Sequence, residues 1–165
     1  MYKILGNFLI RRLSDGSIIP KDESNYDYKN YLKWLSEGNV PEPEFTLEEL
    51  KNNKMQYVTQ QRDEALNTLT SQWDDDLWDA RETDSTRITN VLTMIEQAQK
   101  INIPTPSTID WRTYDNKDRS LTVPELIQLA ASMFLAQQTI WAKQAQLKNA
   151  VTAATTIEEV EAITW

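Results

Sequence analysis

The sequence predicts a mainly α protein with a small β-hairpin module at its N-terminus, and three observations lead there. Three capping boxes (Thr46 with Glu49, Thr122 with Glu125, Thr156 with Glu159) each stand directly before an apolar-periodic run. In that motif the threonine hydroxyl accepts the N3 amide and the glutamate reaches back to the threonine amide, so four residues specify a helix start. The Asp15–Gly16 pair lies between two short β-prone runs and supplies the φ > 0 position of a tight hairpin turn. All three glycines, Gly6, Gly16 and Gly38, fall before residue 39, so nothing after that point can form a glycine-rich phosphate loop.

Taken in order, "NFLIRRLSDGSIIPK" reads as two strands joined around Ser14–Ser17, with Pro20 ending the second. "SNYDYKNYLKWLSEGN" places Tyr28, Tyr31, Leu32 and Leu35 at helical spacing, with Ser24 or Asn25 as N-cap and Gly38 as the left-handed C′ residue. "VPEPEF" is an extended linker, because each proline also disfavours the α region for the residue before it. The next helix opens at Thr46, with Phe45 and Leu50 as its staple. After a break near "KNNK" it is expected to merge into a longer one along the seam Met55, Val58, Ala65, Leu69, Trp73 and Leu77. A seam so narrow fits a coiled coil or a lever leaning on one neighbour.

A further helix, capped by Thr83 or Asp84, should bury Ile88, Val91, Leu92 and Ile95 and stop before Pro104 and Pro106. Ile109, Trp111 and Thr113 alternate as in a strand, expected to pair with "LWDAR" (77–81) in a short two-stranded clip. The longest helix then starts at Thr122, with Pro124 in its first turn. Leu126, Met133, Ile140 and Leu147 recur every seven residues, and Phe134 and Trp141 form a second stripe beside them. An apolar arc so wide predicts cover on more than one side. The last helix is too short to stand alone and is expected to dock on the long one around Ile140, Trp141 and Leu147. These elements fall into an N-terminal hairpin-and-helix module (1–44), a capped and spacer-helix segment (45–82) and a C-terminal helical domain (83–165).

Composition narrows the function. The chain has 165 residues and a net charge of −8, which disfavours nucleic acid and anionic membrane surfaces as partners; only Arg11–Arg12 hints at a basic patch. With neither His nor Cys there is no disulfide, thiol nucleophile, Cys/His zinc site or histidine base, so the reading is a non-enzyme without cofactor. The run Leu126–Ala142 has no charge, yet it is short for a membrane span and holds Gln128, Ser132, Gln137, Gln138 and Thr139. No signal peptide is expected in "MYKILGNFLIRR".

The acidic stretch 73–84, with six acids and one base, could be a divalent-cation site. It lacks the alternating ligands and bend glycine of a calcium loop, so a solvated acidic face, with no metal, is preferred. Six Trp and six Tyr invite an aromatic reading: sugar stacking beside carboxylates, core anchoring, or hot spots for a protein partner. Trp34, Trp73 and Trp141 sit at core spacing. Trp111 and Trp165 are harder to bury, and local packing and partner contact remain open for both. The candidate partner-binding set is Trp111, Tyr114, Phe134, Trp141 and Trp165.

"DGSIIPKDESNYDYKNYLKWLSEGNVPEP" resembles a module of small tail proteins of tailed bacteriophages. From Thr83 to Trp165, "STRIT", "WRTYDN", "LTVPELIQLA", "QLKNAV" and "AATTIEEVEAITW" resemble a helical domain of phage tail-fibre-region proteins. Together they cover about two-thirds of the chain, and 51–82 lies outside both. The resemblance implies a tail-fibre assembly chaperone or fibre-bound accessory. Its partner would be a tail-fibre or other tail protein, or a further copy of itself. It would act in the host cytoplasm during assembly, possible retention in the virion tail included. The alternatives are a permanent virion component, such as an adaptor or tail-tip subunit, and a host-carbohydrate-binding protein.

Overall fold

A computed structural model describes all residues, 1–165. Helices form the majority of the chain, and the strands are confined to three small antiparallel sheets. The first sheet is a three-stranded meander of β1 (Tyr2–Leu5), β2 (Leu9–Arg12) and β3 (Ile18–Pro20), one strand more than the expected hairpin. Gly6 (φ 67°) and Gly16 (φ 75°) make its two turns. Helix α1 (Tyr26–Ser36) is capped by Asn25, whose side chain accepts the Tyr28 amide at 3.1 Å. It covers one face of the sheet, and Tyr2, Ile10, Ile19 and Tyr31 form a separate small core. The Tyr2 ring meets Tyr31 and Trp34 edge-on at 5.1 Å each, the favoured aromatic geometry. Arg12 ties the hairpin turn to the helix through Asp15 and Asp27, both at 2.7 Å, and its guanidinium holds the Asp15 carboxyl well below the usual range. The proline-rich linker is not free: Glu42 bridges to the β1 edge, accepting from the Ile4 amide at 2.9 Å.

Helix α2 (Leu47–Asn67) opens with the expected capping box and runs through "KNNK" without a break. It does not continue to Leu77. After Thr68 the chain turns into a hairpin of β4 (Thr70–Trp73) and β5 (Asp76–Asp79). The two residues between the strands, Asp74 (φ 49°) and Asp75 (φ 62°), adopt the left-handed conformations of a two-residue hairpin turn. Asp is among the few residues other than glycine that visit this region, and here the Asp74 carboxylate is held by Arg119. The four-residue spacing of Leu69, Trp73 and Leu77 is thus a coincidence of a strand–turn–strand: Trp78 points into the core and Leu77 outward.

Helix α3 (Glu82–Lys100) starts at Arg81, with no side-chain cap. Thr83 and Asp84 both lie inside its first turn, and Asp84 pairs with Arg81 at 2.7 Å instead. Strand β6 (Thr108–Arg112) pairs with β7 (Asp118–Thr122), not with 77–81. The five residues between them form their own turn around Asn116 (φ 63°), and this local closure outcompetes the more distant partner. One hydrogen bond survives of the expected clip, from the Tyr114 amide to the Leu77 carbonyl at 2.8 Å.

Helix α4 (Val123–Ala153) carries the capping box Thr122/Glu125 and packs against α2, α3, β4 and β7. Leu126, Leu129 and Met133 are fully buried and share the main core with Trp78, Ala80, Ile88, Trp111 and Leu121. No helix is long and apolar enough to cross a membrane. Helix α5 (Ile157–Glu161), opened by Thr156/Glu159, docks mainly on α2 and less on α4. Val160 is buried, Lys54 donates to the Ile163 carbonyl at 3.0 Å, and Lys51 reaches the end of α4 at Thr152. Docking shifts from α4 toward α2 because Lys54 of α2 satisfies the Glu161 and Ile163 carbonyls that the short helix leaves open.

Two outcomes follow. Deleting 155–165 should lower the melting temperature by several degrees, in line with ~1–3 kcal/mol of lost burial. Thr122→Ala should lower it by a few degrees at neutral pH. The Thr122 hydroxyl and amide hold the Glu125 carboxyl below its usual range, so this stabilisation is complete above the unfolded-state value and fades as pH falls through the folded one. The difference between wild type and variant should therefore narrow on acidification, as read by calorimetry across pH 7 to 3.

Candidate functional site

The uncharged run of α4 turns two of its polar side chains, Ser132 and Gln137, to the protein and several large apolar ones out. Gln137 donates to the Ala80 carbonyl at 2.8 Å and to Ser85 at 2.7 Å, linking α4 to the start of α3. Ser132 lies 3.3 Å from Ser71 of β4. These two residues, which seemed to interrupt an apolar surface, brace the fold. By contrast Ile127 is 52% exposed, Phe134 56%, Leu135 64% and Trp141 38%. The expected cover on several sides is absent on this one, because α3 and the two hairpins pack on the arc centred on Met133 and α2 meets α4 further along, at Trp141 and Thr152.

The open face has a regular spacing. Ile127, Phe134 and Trp141 are seven apart, and Ala131, Gln138 and Ala145 each follow four later; all six are exposed. Alternating steps of four and three are the seam of a helix that pairs with another helix. No charge interrupts it between Glu125 and Lys143. Ile127 and Leu135 were not among the sequence candidates, although the heptad step from Phe134 back to Ile127 points to the first.

The other candidates scatter. Trp111 is buried at 7%, in the main core, with the Arg87 guanidinium 4.6 Å over its ring, so a partner cannot reach it. Its β6 position turns it inward while Asp110 and Arg112 face solvent. Tyr114 is exposed in the β6–β7 turn, and Trp165 is half-buried with Lys143 4.7 Å over its ring. Only Phe134 and Trp141 share a face.

A cleft of about 340 Å³ lies between the end of α2 and the start of α3, beside Trp141. Asp63, Glu82, Arg62 and Arg81 line it, so carboxylates and an aromatic ring do meet there. The Arg62 guanidinium sits 4.6 Å over the Trp141 ring, on the face a sugar would need for stacking. The acidic run 73–84 is spent on structure: Arg119 of β7 pairs with Asp74 at 2.8 Å and with Asp76, fastening the two hairpins together, and Asp79 and Asp84 pair with Arg81. No group of three or more His, Cys, Asp or Glu side chains is placed to hold a metal ion.

Among known proteins, a family model described as a domain of unknown function (DUF4376) matches residues 49–164. That span runs from the first turn of α2 through α5 and contains the whole open face of α4; the β1–β3 sheet and α1 lie before it. No curated protein and no solved structure matches the chain.

Trp111 and Phe134 should separate cleanly by mutation. Trp111→Ala should lower the melting temperature by about 10 °C, since emptying a buried Trp site costs ~3–5 kcal/mol. Phe134→Ser, on open surface, should stay within about 2 °C of wild type. Equal losses for both would mean that the α4 face is covered within the fold.

Proposed function

We propose that this chain, which belongs to the DUF4376 family, is a bacteriophage tail-fibre assembly chaperone or fibre-bound accessory protein that works by protein–protein contact. The observation that carries the reading is the open face of α4, where Ile127, Phe134 and Leu135 stand in solvent within a run without charge and Trp141 extends the face beneath the Arg62 guanidinium. Apolar patches of this kind are uncommon on solvent-facing surfaces and mark interaction sites. Aromatic residues at the centre of such a patch are the usual source of binding energy. The tail assignment itself rests on the resemblance of the N-terminal module and of the C-terminal stretch to phage tail proteins. The alternative is a permanent subunit of the virion tail acting through the same face, which would remain on the particle after assembly in the host cytoplasm.

The test is co-expression with the tail-fibre protein of the same genome. The wild-type chain should raise the yield of soluble trimeric fibre and co-purify with it, and Phe134→Glu should lose co-purification while keeping its melting temperature. Unchanged fibre yield and no complex would refute the assembly role. Mass spectrometry of purified particles divides the two forms of the reading: a chaperone is released, whereas a structural subunit is found at fibre-like stoichiometry.

A further inference from the structure

We propose that in the free protein the open face of α4 is occupied by a second copy of the same face, in an antiparallel two-helix pair. The inference rests on the reading of this face as a contact surface, and it names the first occupant. The seam Ile127, Ala131, Phe134, Gln138, Trp141 and Ala145 steps four, three, four, three, four, which is the same read in either direction. Laid antiparallel on itself about its midpoint, it brings Ile127 against Ala145 of the second copy, Ala131 against Trp141, and Phe134 against Gln138. Every layer then sets a bulky residue against a small or flexible one, which is the condition for two helices to interdigitate. In a parallel pair the same residues would meet themselves, Trp141 on Trp141 and Ala131 on Ala131, overfilled at one layer and empty at the next.

Charge and area agree with this occupant. Two copies each at −8 repel through most of their surface, but the seam's own side chains carry no charge, and the group bordering it at Trp141 is a cation, the Arg62 guanidinium. An antiparallel pair also sets the N-terminal end of each helix dipole beside the C-terminal end of the other. From Ile127 to Ala145 the strip is about 27 Å long at ~1.5 Å per residue. Ile127, Phe134 and Trp141 are 52%, 56% and 38% exposed, and with Ala131, Gln138 and Ala145 a pair would bury on the order of 1,000 Å², at the small end of specific interfaces. A fibre segment binding the α4 face would compete with the second copy, so self-pairing would cover the apolar surface until the client arrives.

The experiment is sedimentation of the purified full chain, with disulfide trapping to read the geometry. The chain has no cysteine, so introduced ones report without background. Wild type should sediment as a dimer at tens of micromolar, and Phe134→Glu should weaken pairing roughly 30-fold or more at unchanged melting temperature. Ile127→Cys and Ala145→Cys, each oxidised alone, should stay unlinked, and mixed they should give a 127–145 cross-linked pair. Self-linking of either variant would overturn the antiparallel arrangement. A wild-type chain that is monomeric at 100 µM, or a Phe134→Glu chain that still dimerises, would overturn the pairing. If the monomeric chain nevertheless binds tail fibre and loses that binding in Phe134→Glu, the pairing fails while the contact reading stands. Loss of neither sinks both.

Discussion

The arc of α4 centred on Met133 is the constraint on which the C-terminal two-thirds of the molecule depends. Leu126, Leu129 and Met133 are wholly buried. The side chains packed around them come from α3 and from the β4–β5 and β6–β7 hairpins, while α2 meets α4 further along, at Trp141 and Thr152. A helix 31 residues long cannot bury such an arc by itself, so the chain brings a helix and two hairpins to it. The two hairpins act as wedges in that arrangement. Trp78 from one and Trp111 and Leu121 from the other fill the space beside the helix, at van der Waals density that a smaller side chain would not restore.

What holds those wedges is electrostatic and local. Arg119 reaches from β7 to Asp74 and Asp76 in the β4–β5 turn, so the acidic cluster is drawn into a cross-brace between hairpins. Exposed pairs of this kind contribute little free energy individually. Their value is geometric, since a turn built from two left-handed aspartates has few alternatives once its side chains are engaged. Gln137 plays the corresponding part at the other side, joining α4 to Ala80 and Ser85.

The same economy explains why α4 presents an apolar outer face. Gln137 and Ser132 are recruited inward to satisfy carbonyls and hydroxyls at the joints, while Ile127, Phe134 and Leu135 lie on the side that no element of this chain covers. A surface so composed is unfavourable in water unless something occupies it, and its helical spacing suits another helix. The N-terminal sheet and α1 form a core of their own and lie outside the matched family region, whereas the open face of α4 lies within it.

The sequence by itself determined four of the five helix starts; α3, expected to be capped by Thr83 or Asp84, begins after Arg81 with no side-chain cap. The three capping boxes and the Asn25 cap stand where expected, because a cap is a contact among residues three apart and needs no distant partner. The Asp15–Gly16 turn was legible for the same reason. The β4–β5 hairpin was not: its turn uses Asp–Asp without glycine, and its apolar residues fall by chance on a helical spacing, so periodicity alone favoured the wrong element. Nor could the sequence say which aromatic faces outward. Trp111 lies in a polar segment and is buried, whereas Phe134 lies in an apolar one and is exposed. The difference is decided by which side of α4 the other elements occupy, and that depends on packing among residues far apart in the chain, which no local pattern encodes.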